Sequence, residues 1–184
     1  HGGPFPRYKR SIYETGLRVP MVAKWIDDTL KGKTNQLISF VDFAPTILDA
    51  ANIESKFPFE GISFNKKDQR KYIFAATDRF DGSTDMRRSI RGGNFKLIYN
   101  ADTISPVYKK VSYRQQMKTM QVLDSLNNKQ ELNTYFSNWF SKEKDRFELY
   151  EVSDDYYEAN NLIHNSKYEG IFKTLQHNLF AWIE

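Results

Sequence analysis

Apolar and polar positions follow different periods along the chain, and the changes of period divide it. Up to Pro20 no period holds, because Gly2, Gly3, Pro4, Pro6 and Gly16 interrupt every regular element, and the stretch reads as loop. Met21-Val22-Ala23-Lys24-Trp25-Ile26 is a short, mostly apolar run, which predicts a strand buried in an α/β sheet. Asp27 to Thr34 is a polar turn. From Ser39 the spacing turns helical: Phe40, Val41, Ala44, Ile47, Leu48 and Ala51 fall on one stripe, expected to face a core. Ser39-x-x-Asp42 resembles a capping box with Asp in place of Glu, and Pro45 predicts a 3₁₀-like first turn or a kink. A strand followed by an amphipathic helix is the closing step of an open α/β domain.

Beyond Ile53 the character shifts. Phe57-Pro58-Phe59-Glu60-Gly61 reads as a turn-rich connector and a boundary between parts of the chain. Tyr72 to Ala76 predicts a strand. Met86–Arg91 and Phe95–Tyr99, flanking Gly92-Gly93-Asn94, predict a hairpin. Tyr113 to Asn133 is polar and helix-prone, with Met117, Met120, Leu123 and Leu126 forming a core stripe. Phe147 to Val152 alternates as a further strand, and Asp154 to Asn161 is a polar turn. The last segment predicts a helix capped by Ser166-x-x-Glu169, with Ile171, Phe172, Leu175, Leu179, Trp182 and Ile183 as its buried stripe. The second part is therefore expected to be a small antiparallel sheet backed by a helix, an α+β lobe.

Composition narrows the class. With 184 residues, 40% apolar and 15% aromatic, the chain has enough apolar mass for a core and is too apolar for disorder. Its mean hydropathy is −0.67, and no apolar run approaches the roughly eighteen residues of a membrane span. Neither a start methionine nor a signal-type apolar stretch stands at His1-Gly2-Gly3, so the chain reads as cut from something longer. Lys and Arg number 27 against 23 Asp and Glu, a net +4, but the two signs are interleaved and no long basic run marks a nucleic-acid partner. Zero cysteines exclude disulfides, thiolate zinc sites and thiol nucleophiles within the chain.

Candidate chemistry is sparse. Of the three histidines, His164 falls in a turn and His177 on the terminal helix, where solvated surface roles are expected. His1 is followed by two glycines that let the backbone approach a ligand closely, and suits either a metal ligand or an acid/base. No Gly-x-Ser-x-Gly, His-Glu-x-x-His or phosphate-cradling glycine loop is present. The richest stretch runs from Pro4 to Pro20: Arg7, Lys9 and Arg10 stand just ahead of Tyr13-Glu14-Thr15-Gly16. They could grip a phosphate or sulfate ester, Lys9 as a compact point charge, or form an ordinary basic loop.

That stretch resembles the type I sulfatases of the alkaline phosphatase superfamily, whose pattern is Asp-(Asn/His)-Gly and then Lys-x-x-x-Tyr-Glu-x-Gly-x-Arg-x-Pro. Here His1-Gly2 is followed by Lys9-Arg10-Ser11-Ile12-Tyr13-Glu14-Thr15-Gly16-Leu17-Arg18-Val19-Pro20. Further family landmarks come in order. Asp42-Phe43-Ala44-Pro45-Thr46-Ile47-Leu48 looks like the family's Asp-x-x-Pro-Thr-x-Leu helix, and Gly61-Ile62-Ser63-Phe64 like its Gly-x-Ser-Leu turn. Phe95-Lys96-Leu97-Ile98 matches its Tyr/Phe-Lys-Leu-Ile strand. Glu148-Leu149-Tyr150-Glu151, with Glu158-Ala159-Asn160-Asn161-Leu162, looks like its ending. Within the family the chain is most similar to the heparan N-sulfatase branch and related bacterial polysaccharide sulfatases, through Pro4-Phe5-Pro6, Met86-Arg87-Arg88-Ser89-Ile90-Arg91 and the polar stretch from Ala101 to Arg146.

The resemblance implies a fold and a division. Residues 1-56 would be the C-terminal edge of an alkaline-phosphatase-like α/β/α sandwich, and residues 57-184 a small α+β lobe. It implies His1 as a ligand to a Ca²⁺-type cation and Lys9 as a catalytic group that holds a sulfate oxygen and stabilises the leaving group. Arg7 would join Lys9 in binding substrate, with Arg79, Asp81 and Arg88 recognising sugar. Relatives carry a Cys/Ser-x-Pro-x-Arg segment that yields formylglycine, and an Asp-Asp pair for the metal; neither occurs here. The expectation is thus the C-terminal part of a periplasmic or secreted sulfatase acting on a sulfated, heparan-type glycan, inactive and poorly stable alone, with no nucleic-acid or membrane partner. A phosphodiesterase or phosphonate hydrolase of the same superfamily and a non-catalytic polyanion-binding module are the alternatives.

Overall fold

The computed structural model describes residues 5–25, 32–66, 70–80 and 82–184. In chain order the elements are α1 (Glu14–Leu17), a 3₁₀ turn (Phe40–Asp42), α2 (Phe43–Ala50), β1 (Tyr72–Phe80), β2 (Ser83–Gly92) and β3 (Phe95–Asn100). There follow α3 (Ser112–Gln115), α4 (Lys118–Asn128), α5 (Thr134–Trp139), β4 (Phe147–Glu151), a second 3₁₀ turn (Ser166–Tyr168) and α6 (Glu169–Ile183). Among the described residues no helix is long and apolar enough to cross a membrane. The chain forms two compact units: His1–Val19 with Phe74–Glu184, and Pro20–Ile73.

The larger unit is the expected α+β lobe. Its sheet has the order β1-β2-β3-β4, with β2–β3 and β3–β4 antiparallel. Gly93 closes the β2–β3 hairpin at φ +57°, a backbone conformation that glycine adopts without steric cost. The register gives the sheet two unlike faces, because cross-strand partners share a face and neighbours along a strand do not. Ile90, Leu97 and Leu149 stand in one row, and Tyr99 and Phe147 in another row of the same face. This is the face α6 covers, with Leu175 and Leu179 buried and Phe180 edge-on to Tyr99 at 5.4 Å. The opposite face carries Arg87, Ser89 and Arg91 on β2, Lys96, Ile98 and Asn100 on β3, and Glu148 and Tyr150 on β4. That face is also buried, beneath the segment from Arg7 to Thr15, so β3 reads as continuously buried although it contains Lys96 and Asn100.

The smaller unit is built around α2. Ser39 N–H donates to Asp42 Oδ2 at 2.8 Å, the reciprocal half of the expected cap, and the 3₁₀ turn ahead of α2 accommodates Pro45. Asp42 Oδ1 accepts from Ile62 N–H at 2.9 Å and Thr46 Oγ1 from Phe64 N–H at 3.1 Å, stapling the helix to the Gly61–Phe64 turn. Arg70 closes on the Asp42 carboxylate, and together these donors hold it below the usual carboxylate range although burial opposes this.

Several expectations need correcting. Met21 to Trp25 is not a strand: no backbone pairing partner lies beside it among the described residues. The buried face of α2 is the polar one of Asp42 and Thr46, whose hydrogen bonds require the 61–64 turn, while Phe40 and Ile47 are exposed. The single helix over Tyr113–Asn133 is broken into α3 and α4 at Gln116-Met117, where Met117 is extended, and the chain turns at Gln130 with φ +60°. Met120 and Leu123 of its predicted stripe are buried, packed with Tyr108 and Trp139. Ser166 does not cap the last helix: it opens the 3₁₀ turn Ser166–Tyr168, which Asn165 caps by accepting from Lys167 N–H at 3.1 Å, and α6 continues from that turn with Tyr168 at its N-cap and no side-chain cap. Trp182, at its end, stays exposed while stacking on Phe74 at 4.8 Å.

Candidate anion-binding site

The polar face of the sheet organises the Arg7–Thr15 segment through two charge networks. In the first, Glu148 sits at the centre. Its Oε1 accepts from Arg87 at 2.8 Å and from Asn100 Nδ2 at 2.8 Å; its Oε2 accepts from the hydroxyls of Tyr13 and Tyr150, both at 2.7 Å. Burial alone would raise its pKa, but Arg87 and these donors outweigh it and hold the carboxyl below its ordinary value. The Tyr13 hydroxyl is pushed up to about 12 by burial and the neighbouring Glu148 charge, so it remains a donor. In the second network, Lys96 Nζ donates to Ile12 O at 2.6 Å and lies 3.3 Å from Glu14 and 3.2 Å from Glu158. Arg91 also closes on Glu14, and Glu14 N–H donates to Glu158 Oε2 at 2.5 Å. Burial raises the Glu158 carboxyl in spite of Lys96.

These networks bend the loop sharply. Arg7 and Arg10 have φ of 59° and 66°, a region costly for residues with a Cβ, and Lys9 stands between them. Gly16 is required by close approach: a Cβ there would meet Tyr8 O at 2.4 Å and Ser11 O at 2.5 Å. The Tyr-Glu-x-Gly motif is thereby explained residue by residue. Tyr13 and Glu14 tie the loop to the sheet, and Gly16 lets it fold back on itself.

Above this loop lies a cleft of about 70 Å³ in the larger unit, whose lining includes Lys9, Ser11, Asp85, Tyr108, Arg114 and Trp139. That volume holds a few waters or the compact oxyanion groups of a ligand and is too small for a whole sugar ring. Its charge is one-sided. Arg7, Arg10, Arg87 and Lys109 also line it, giving six cationic side chains against one carboxylate, Asp85, which pairs with Lys144. Arg87 is neutralised by Glu148. Lys9 and Arg114 have no carboxylate partner among the described residues.

Of the residues singled out in the sequence, Arg7 and Lys9 come together at the cleft. Arg7 is 7% exposed; its guanidinium donates to the Tyr157 and Glu158 carbonyls and lies 4.3 Å over the Tyr13 ring, so it fastens the loop. Lys9 is half-buried, with its backbone carbonyl held by Arg114 at 3.0 Å. Arg79 is exposed on β1, and Arg88 pairs with Asp78 at 2.8 Å; neither lines the cleft. His1 and Asp81 lie outside the described residues. Among the described residues no group of three or more His, Cys, Asp or Glu is placed to hold a metal ion. The described part of the chain thus offers charge to an anion rather than ligands to a cation. Arg114, Lys109, Tyr108 and Trp139 escaped the sequence reading because they are scattered through a polar stretch without a motif.

The order of the motifs points to a sulfatase C-terminal domain, and comparison with known proteins shows it. Residues 5–139 match the family described as N-sulphoglucosamine sulphohydrolase, C-terminal, and the chain belongs to that family. It is 39% identical, over its whole length and 31% of the relative's, to an ulvan-active sulfatase of Formosa agariphila. It is 26% identical, over 83% of the chain and 27% of the relative, to an N-acetylglucosamine-6-O-sulfatase of Bacteroides thetaiotaomicron. The chain therefore spans about a third of the length of these relatives. A protein solved in complex with its substrate D-glucosamine-2-N,6-O-disulfate superposes on 76% of the chain and 22% of its own, at 22% identity and a TM-score of 0.47.

Proposed function

We propose that this chain is the C-terminal part of a sulfatase that hydrolyses sulfate groups on a sulfated glycan, and that Lys9 holds a sulfate oxygen in the cleft. The observation that carries the reading is Lys9 itself: a half-buried ammonium without a carboxylate partner among the described residues, on a loop fixed by buried charge, in a cleft with excess positive charge. A preorganised cation in a partly dry site stabilises charge developing on the leaving oxygen far better than one in water. The names of the relatives support sulfated carbohydrate as the substrate class; the ulvan-active relative widens it beyond heparan. Residues 1-56 would then belong to the catalytic domain and 57-184 to its C-terminal lobe. The rest of the protein would supply formylglycine and most ligands of a divalent cation, with His1 completing that set. A periplasmic or secreted location goes with such a substrate.

The test is an assay of the complete protein on sulfate and phosphate esters of the same sugars, with and without Lys9→Ala. Sulfate hydrolysis should dominate, and the substitution should lower kcat by roughly 10²–10³-fold, as loss of one preorganised charge does. Dominant phosphate hydrolysis would assign the chain to a phosphodiesterase instead. An unchanged rate in Lys9→Ala would remove Lys9 from the site.

A further inference from the structure

Arg114 is 6% exposed, yet no carboxylate of the described residues reaches it. A buried guanidinium is ordinarily paired, because the loss of hydration is not otherwise compensated. One of its NH2 protons goes to Lys9 O; its Nε is buried with no acceptor. Beside it stands Trp139, 5% exposed, whose indole Nε1 is likewise buried without an acceptor; the guanidinium carbon lies 5.7 Å from that ring and 5.8 Å from the Tyr108 ring. Both residues line the cleft. Two donors without an acceptor and one charge without a carboxylate, among the described residues, are rare at one wall of a folded protein unless an acceptor arrives from outside.

We infer that Arg114 and Trp139 form a second oxyanion subsite beside Lys9, which takes an acidic substituent of the sugar chain: a carboxylate or a further sulfate. The inference rests on the reading of Lys9 as the ligand of the scissile sulfate, and it predicts that the cleft favours chains carrying a second acidic group over singly sulfated ones. The guanidinium fork matches a carboxylate or sulfate edge, and the indole N–H adds direction.

The experiment follows the Trp139 indole N–H resonance in the complete protein while D-glucuronate, D-glucosamine 6-sulfate or neutral D-glucose is added. Either acid should shift it in the native protein and in Lys9→Ala; glucose should not; the acid with the larger effect identifies the group. Arg114→Gln should weaken the response about tenfold, as loss of a charge-assisted hydrogen bond does, with the Trp25 and Trp182 resonances reporting intact folding. If Arg114→Gln does not fold, calorimetric titration of Trp139→Phe with the same acid replaces it, and weaker binding is expected. A response lost in Lys9→Ala, kept in Arg114→Gln or matched by glucose overturns the second subsite. Separately, an unchanged kcat for sulfate hydrolysis in Lys9→Ala would defeat the Lys9 reading and with it the description of this subsite as the second one, whereas the indole response tests the acid site at Arg114 and Trp139 itself.

Discussion

Glu148 is the sharpest test of how the cleft is held. It is 6% exposed and accepts hydrogen bonds from four side chains, at 2.7–2.8 Å, and Arg87, its ionic partner, is 4% exposed. Glu148→Leu leaves the Arg87 charge buried without its counter-ion and strips acceptors from Tyr13, Tyr150 and Asn100. Breaking a buried pair from one side costs about 3–5 kcal/mol. For a chain of this size that lowers the melting temperature by roughly 6–20 °C. Arg87→Met strands the carboxylate and should cost about the same. The double variant removes both charges, so its loss should be smaller than the sum of the two single losses by at least about 2 kcal/mol. Urea unfolding followed by circular dichroism, run as a double-mutant cycle, measures this. Strictly additive losses, or single losses under about 1 kcal/mol, would show that the pair is solvated in solution and that the buried network does not support the loop.

Acidification should act through the same group. The Glu148 carboxyl is depressed in the folded state, so its contribution is complete above the unfolded pKa and disappears as pH falls through the lowered folded value; Glu148→Gln should flatten the acid limb of a stability–pH curve. Glu158 has the opposite sign: its raised folded value favours the native state at acid pH and loses that benefit as pH rises through it, so Glu158→Gln should change the curve in the reverse sense. Gly16→Ala forces a Cβ against two backbone carbonyls and should cost about 1–3 kcal/mol, with sulfate binding at Lys9 weakened in the same titration. Asp42→Ala in the smaller unit should cost about 3–5 kcal/mol and speed proteolysis of the connector around Phe57, since Arg70 and the Ile62 N–H both lose their acceptor.

The α+β lobe was legible because β2 and β3 meet at Gly92-Gly93-Asn94 and because α6 has a helical apolar period. What periodicity misread was the meaning of polarity. Lys96, Asn100, Arg87 and Glu148 sit in strands, and their spacing alone would place them on a wet face. They are buried because the Arg7–Thr15 segment covers them, a contact whose partners are more than seventy residues away in sequence. The same blindness affected α2, whose apolar stripe is exposed while Asp42 and Thr46 face inward. Motif order carried what periodicity lost. The landmarks Tyr13-Glu14-Thr15-Gly16, Lys96, Glu148 and Glu158 proved to be the members of the buried networks, and Asp42, Thr46, Gly61 and Ser63 the staples of the smaller unit. The cleft's far wall, Arg114 and Trp139, has no such landmark and became visible only when the chain was folded.

The Tyr13–Glu148 bond joins residues 135 positions apart, and Glu14 meets Glu158 across 144. At about 5–20 residues per second, a ribosome that has made Tyr13 needs roughly 7–27 s to make its partner. Through that interval the Lys9 loop can meet Arg87, Lys96 and Arg114 but lacks the two carboxylates, Glu148 and Glu158, on which both charge networks close. The anion cleft therefore closes late in the synthesis of this stretch, and a stall anywhere before Glu158 leaves a binding loop without its full set of anchors.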